Sequence, residues 1–127
     1  MTRHLLLAAT DPNSIYLLRR YAEESGFAFV HASEGKEVVR LARRVRPAAI
    51  ILETGLPGMA DQNDLLALKR EEATRSIPVV VYCWSQEEAE DWAQAVAGYL
   101  QHPLLYDDFL AALRIAGVCP PKDDPAR

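Results

Sequence analysis

The chain has 127 residues, half of them apolar, and a net charge of −4, with a pI near 5.3. This suits one domain of ordinary size with a real core, and the acidic balance argues against nucleic acid as a direct partner, since phosphate binding needs a basic face. Its two cysteines, Cys83 and Cys119, form neither a metal-ligand spacing nor a disulfide framework, and no segment approaches the roughly 20 apolar residues that span a bilayer.

The N-terminal apolar run is too short for a signal-peptide core, and Asp11 follows it at once. A cytoplasmic protein in a reducing setting is the expectation. Residues 5–8 (LLLA) instead read as a first strand. Asp11 and Pro12 then supply an N-cap acid and a proline for the first helical position. Ile15, Leu18 and Ala22 recur at helical spacing, and Gly26 closes that helix. A second strand is predicted at 28–32 (AFVHA). Val38, Leu41, Ala42 and Val45 make the next helical stripe, with Arg40, Arg43, Arg44 and Arg46 largely on other faces.

The third strand, 48–52, runs into Glu53 and then breaks into Thr-Gly-Leu-Pro-Gly. Leu65 and Leu68 begin a third helical stripe. Ile77-Pro78 opens a fourth strand at 79–82, a position that tolerates proline. Ala89, Trp92, Ala93 and Val96 form a fourth stripe, Tyr99-Leu100 a weaker fifth strand, and Phe109, Ala112, Leu113 and Ala116 a last helix closed by Gly117. The tail, VCPPKDDPAR, reads as a solvated end or a linker stub. The domain is therefore drawn at 1–118, with a Pro-rich tail at 119–127.

None of the strand runs alternates cleanly with polar residues, which is the pattern of strands buried on both faces. Five strands alternating with five helices predict an α/β fold of (βα)5 type, a parallel sheet between two helical layers. Ligands of such sheets bind at the carboxyl ends of the strands. The sequence delivers Ala9, Thr10 and Asp11 there from the first strand, Glu53, Thr54 and Gly55 from the third, Cys83, Trp84 and Ser85 from the fourth, and Gln101, His102 and Pro103 from the fifth.

Several of these stretches resemble one family in the same order. LLLAATDP is similar to the first strand of a response-regulator receiver (CheY-like) domain. PAAIILETGLPGM resembles its third strand and following turn, ATRSIPVVVYCW its fourth strand, and GYLQHPL its fifth. The resemblance covers about residues 4–117. It implies a flavodoxin-like three-layer α/β/α fold with strand order 2-1-3-4-5 and a bacterial two-component or phosphorelay signalling role. It also shows departures. The acidic pair of the family falls on Ala9 and Thr10, the phosphoacceptor aspartate on Glu53, the switch hydroxyl on Cys83 and the lysine on His102, which precedes Pro103. The aromatic switch position is kept as Tyr99. The stretch from Cys83 to His102 is short, which predicts a trimmed fourth helix.

A receiver holds Mg²⁺ in a carboxylate cluster, and Mg²⁺ demands near-octahedral oxygen ligands. Ala9 has no side-chain oxygen and Thr10 only a neutral one. A histidine with an ordinary pKa of about 6.5 is a poor substitute for lysine. The expectation is a degenerate pseudo-receiver with no metal, no cofactor and no catalytic residues. It would act by protein–protein interaction, through the face of the fourth helix, fifth strand and fifth helix that the resemblance implies. A homodimer through that face and an interface role for Trp84, Trp92 and Tyr99 belong to the same expectation. Trp92 also lies in an apolar stripe typical of a core.

Other readings stand beside it. Glu53 could be a fixed negative charge standing in partly for a phosphoryl group, or a solvated strand-end acid. Cys83, His102 and Glu53 could be read as a catalytic set, although a Gly-rich oxyanion loop is missing and a buried Cys83 replacing threonine is the simpler account. A conventional receiver with weak phosphorylation and a small-ligand or flavin-binding flavodoxin-like domain are the alternatives. The N-terminus of the first helix could cradle a phosphate, but Pro12 removes one donor.

Overall fold

The Leu-, Ile- and Val-rich runs form strands because only a sheet covered on both faces can bury them. The computed structural model describes residues 3–59, 62–92 and 96–123. Strands β1 (His4–Ala8), β2 (Ala28–Ala32), β3 (Ala49–Glu53), β4 (Val79–Cys83) and β5 (Gly98–Gln101) form one parallel sheet in the order β2-β1-β3-β4-β5. Helices α1 (Pro12–Glu24), α2 (Gly35–Val45), α3 (Leu66–Lys69), α4 (Gln86–Asp91) and α5 (Tyr106–Ile115) connect them. This is the flavodoxin-like order that the resemblance implied.

Successive strand residues point to opposite faces, so the sheet builds two cores. Leu5, Leu7, Ile51 and Tyr82 pack with Leu18 of α1 and Phe109 of α5. Leu6, Ile50, Leu52 and Val81 pack with Val38 of α2, Leu68 of α3 and Trp92 after α4. The three inner strands are buried almost throughout. The outer two depart from the expected double burial, because each is an edge. β2 is only partly covered, and β5 alternates buried and exposed residues.

Trp92 is a second departure. Its side chain is 2% exposed inside the second core, so it holds the end of α4 to the sheet and offers no interface. Ala93 of the same stripe lies outside the described residues. α4 is short, as the sequence spacing required.

The third stripe yields a 3-10 turn, Gln62–Leu65, and the single helical turn of α3. The buried Thr74 hydroxyl donates to the Leu68 carbonyl at 2.7 Å. That bond satisfies a carbonyl that a longer helix would have used and turns the chain into irregular structure.

The beginning of the tail also differs from a solvated end. The Lys122 amide donates to the Ser25 carbonyl at 3.2 Å, and the Arg3 guanidinium donates to the Cys119 carbonyl at 2.6 Å. Pro120 is buried. Residues 119–122 therefore close over the corner between α1 and β2.

Candidate functional site

Sheet order fixes which side chains meet. β3 lies between β1 and β4, with Leu52 beside Ala8 and Glu53 beside Tyr82. The loop after β1 is thus the nearest neighbour of the Glu53 carboxylate on one side, and Tyr82 on the other.

Glu53 is 7% exposed. Its Oε2 accepts the amide of Thr10 at 2.9 Å and that of Asp11 at 3.2 Å. The Thr10 hydroxyl approaches Oε1 at 3.5 Å. The carboxylate is therefore drawn back into the protein, across the strand gap, onto two consecutive backbone donors. A side chain one methylene shorter would have to approach the loop more closely to make these contacts.

Asp11 has a separate task. Its Oδ2 accepts the Ser14 amide at 2.9 Å and the Ser14 hydroxyl at 2.8 Å, capping α1. Pro12 occupies the first turn, as the sequence pattern predicted. Ala9 is fully buried and brings no polar side-chain atom.

On the Tyr82 side stands His102, directly after β5. Its Nδ1 pairs with the Tyr82 hydroxyl at 3.0 Å, and its ring stacks on Trp84 at 4.7 Å. The peptide bond between His102 and Pro103 is cis. Burial holds the Tyr82 phenol above its ordinary pKa. A hydrogen bond with Ser14 works against that shift, and the Asp11 and Glu53 carboxylates add to it. No sequence signal had marked Tyr82, because a tyrosine inside an apolar strand reads only as core.

Cys83 is 1% exposed, and burial, reinforced by Glu88, pushes its thiol up to about 11. A thiol in that state is not a nucleophile near neutral pH. His102 engages Tyr82 rather than this sulfur. The Cys83–His102–Glu53 set is not assembled.

Glu88 was not singled out by the sequence pattern. Its Oε2 accepts the Thr54 hydroxyl at 2.6 Å, and its Oε1 accepts the amides of Trp84 at 2.8 Å and Ser85 at 3.1 Å. It closes a capping box with Ser85 and ties the end of β3 to the start of α4. The signal available was the Ser-x-x-Glu spacing at 85–88.

No family model matches the sequence. Among curated relatives, Protein PilH of Pseudomonas aeruginosa is 25% identical over 103 residues, covering 79% of this chain and 85% of that protein. Transcriptional regulatory protein KdpE of Mycobacterium tuberculosis is 31% identical over 116 residues, covering 88% of this chain and 50% of KdpE. The chain thus spans about half of KdpE's length. Among solved structures, the receiver domain of a sensor histidine kinase from Pseudomonas aeruginosa, with magnesium in its active-site cleft, superposes with a TM-score of 0.80 at 21% identity, covering 92% of this chain and 99% of that domain. The domain is a receiver of the response-regulator type.

Receiver identity makes the strand-end pocket the place to test for a divalent ion. Ala9 contributes no side-chain oxygen and its carbonyl pairs with His31 Nε2, Asp11 Oδ2 is spent on the cap of α1, and Glu53 Oε2 is bound by two amides. Among the described residues, no group of three or more His, Cys, Asp or Glu side chains converges to hold a metal. These side chains do not make the hard-oxygen set that Mg²⁺ requires. Among the described residues, no helix of this receiver is long and apolar enough to cross a membrane.

Two aromatic residues of the expected docking face are exposed, Trp84 at 43% and Tyr99 at 39%. A groove of about 270 Å³ runs between α4 and β5, lined by Cys83, Gln86, Ala89, Glu90 and Tyr99, among others. Trp84 directly follows Cys83 of that lining, at the carboxyl end of β4, and its ring packs on Tyr82 and His102.

Proposed function

We propose that this receiver is a pseudo-receiver that signals by binding, without phosphoryl transfer to Glu53. The observation that carries this reading is the engagement of the Glu53 carboxylate by the Thr10 and Asp11 amides. An in-line phosphoryl transfer needs a free acceptor oxygen, a cation to offset developing charge and a fixed geometry. Here one of the two carboxylate oxygens, Oε2, is held inward and fixes the orientation of the other, Ala9 and Thr10 replace the acids that would hold the cation, and His102 is turned toward Tyr82.

In this reading Glu53 is a permanent anion that fixes the β1–α1 loop. Its one charge and two oxygens stand in only partly for a phosphoryl group, and the loop has a single anchored arrangement. Output then depends on a surface that is always presented. The surface between α4, β5 and α5 supports this role, because it carries exposed Trp84 and Tyr99 beside a groove. Its partner is another signalling protein or an output domain.

The test is incubation with a small phosphodonor and Mg²⁺, followed by intact mass measurement. No adduct is expected. A stoichiometric adduct that disappears in Glu53→Gln would overturn the proposal and restore a conventional receiver.

A further inference from the structure

The docking face has an unusual charge. From residue 76 to residue 113 the sequence contains no Lys or Arg, although the whole chain has 14. That stretch includes β4, α4, β5 and nearly all of α5. It carries six carboxylates: Glu87, Glu88, Glu90, Asp91, Asp107 and Asp108. Glu87, Glu90, Asp107 and Asp108 are exposed, whereas Glu88 is occupied by Thr54 and the capping box. Arg114 stands in the last turn of α5, beyond this stretch, and the other basic residues lie elsewhere, with Arg40, Arg43, Arg44 and Arg46 on and after α2.

Acids in the first turn of a helix are favoured by its dipole, which accounts for Glu87, Asp107 and Asp108. It does not account for Glu90, which sits in the second turn of α4 and lines the groove against Tyr99. Nor does it account for the lack of any Lys or Arg around them.

This charge decides between possible occupants. A twofold dimer buries the same patch from both copies. Pairing α4 and β5 with themselves would bring Glu87 and Glu90 against their own counterparts, and like charges across an interface cost affinity. A segment rich in Lys or Arg meets the opposite situation: the groove and Tyr99 take its apolar side chains, and the surrounding carboxylates take its charges. Resting on the reading of this face as the docking surface, we infer that its partner is a basic amphipathic helix of another protein and not a second copy of this chain.

The probe is a synthetic amphipathic helix of about 16 residues, roughly 24 Å long, with Leu on one face and Lys and Arg on the other. A second peptide replaces every Lys and Arg with Glu. Trp84 emission reports binding, with the buried Trp92 as a steady background, and calorimetry supplies the affinity. The basic peptide is expected to bind and the acidic one not to. Affinity should fall by about tenfold or more between about 50 and 500 mM salt, since exposed charges are screened over a few ångströms at the higher value. Glu90→Lys should weaken binding at least about fivefold, as expected for a charge reversal inside the contact. Tyr99→Ala should weaken it comparably by removing an aromatic anchor.

Glu34→Lys makes the same change in net charge at the exposed N-cap of α2. Its effect should stay within about twofold, the size of a long-range screened interaction. The inference is overturned if Glu34→Lys weakens binding as much as Glu90→Lys, if both peptides or neither bind, or if sedimentation of the protein alone shows a dimer that Tyr99→Ala dissolves. A phosphoryl adduct on Glu53 in the preceding experiment would remove the pseudo-receiver reading and leave these outcomes intact.

Discussion

Replacing Glu53 with glutamine removes one charge and keeps the shape. The wild-type carboxylate accepts two backbone amides at 2.9 and 3.2 Å and a weak hydroxyl contact at 3.5 Å. Hydrogen bonds to charged groups contribute about 1.5–3 kcal/mol and neutral ones about 0.5–1.5. Converting two bonds from the first class to the second would cost about 2 kcal/mol, and relief of the carboxylate's desolvation offsets part of that. Thr10 is exposed and Asp11 half-buried, so water can reach the loop and soften the loss further. The expected net destabilisation is about 1 kcal/mol for Glu53→Gln, and about 2 for Glu53→Ala, where both bonds are lost. Urea unfolding measures the totals, and hydrogen exchange locates them: the Thr10 and Asp11 amides should lose protection while those in the middle of β3 keep theirs. If stability and both amides were unchanged in Glu53→Gln, Glu53 would not anchor the β1–α1 loop.

Three further outcomes are expected. Gly35→Ala should destabilise the fold by about 1–3 kcal/mol, the usual cost of overpacking, because its Cβ would lie 2.5 Å from the Gly58 carbonyl oxygen; a thermal melt reads it, and an unchanged midpoint would mean the β3–α3 loop yields freely. A thiol reagent at pH 8 should label Cys119 quickly and Cys83 only on unfolding; since the unfolded chain gives up the Cys83 proton first, stability should also fall as pH rises from about 9 toward about 11, and labelling of both thiols at equal rates would refute this. Thr54→Val should cost about 1 kcal/mol by deleting the 2.6 Å bond to Glu88, read by urea unfolding, with increased exchange at the Trp84 and Ser85 amides as the sign that the cap loosened.

The sheet was legible because burial on both faces leaves little choice of residue, so β1, β3 and β4 announce themselves as apolar runs. β5 was faint because an edge strand needs only one apolar face, and Gly98 to Gln101 supplies just that. α3 was overread, since Leu65 and Leu68 show helical spacing while the bond that stops the helix comes from Thr74, six residues beyond Leu68. Trp92 could not be placed from its stripe alone, because helical spacing does not say which stripe faces the sheet. The identities of the pocket residues were readable, but their partners were not. That Glu53 reaches Thr10, and that His102 pairs with Tyr82, depends on side-chain directions across strands distant in sequence. The long stretch without Lys or Arg was plain in the sequence and gained meaning only once β5 was seen to form the sheet edge, with α5 packed on it and a groove between it and α4.

The residues around Glu53 make sense together better than singly. In the pseudo-receiver reading proposed above, Ala9 and Thr10 stand where the receiver pattern has two carboxylates, and His102 where it has a lysine. What remains is one buried anion whose compensation comes from backbone amides rather than from a metal or a side-chain cation. An acid at position 9 would lie beside Glu53 and oppose its charge, and a lysine at position 102 would compete with the two amides for the carboxylate. Retaining either feature alone would leave a buried charge poorly matched, which is costly at low dielectric. Tyr82 completes the arrangement. Its phenol lies within the influence of Asp11 and Glu53 and holds the His102 ring. On that reading, phosphoryl transfer to this position should require several substitutions at once. Glu53→Asp alone shortens the side chain and weakens its hold on the loop without supplying any of the missing oxygen or positive charge.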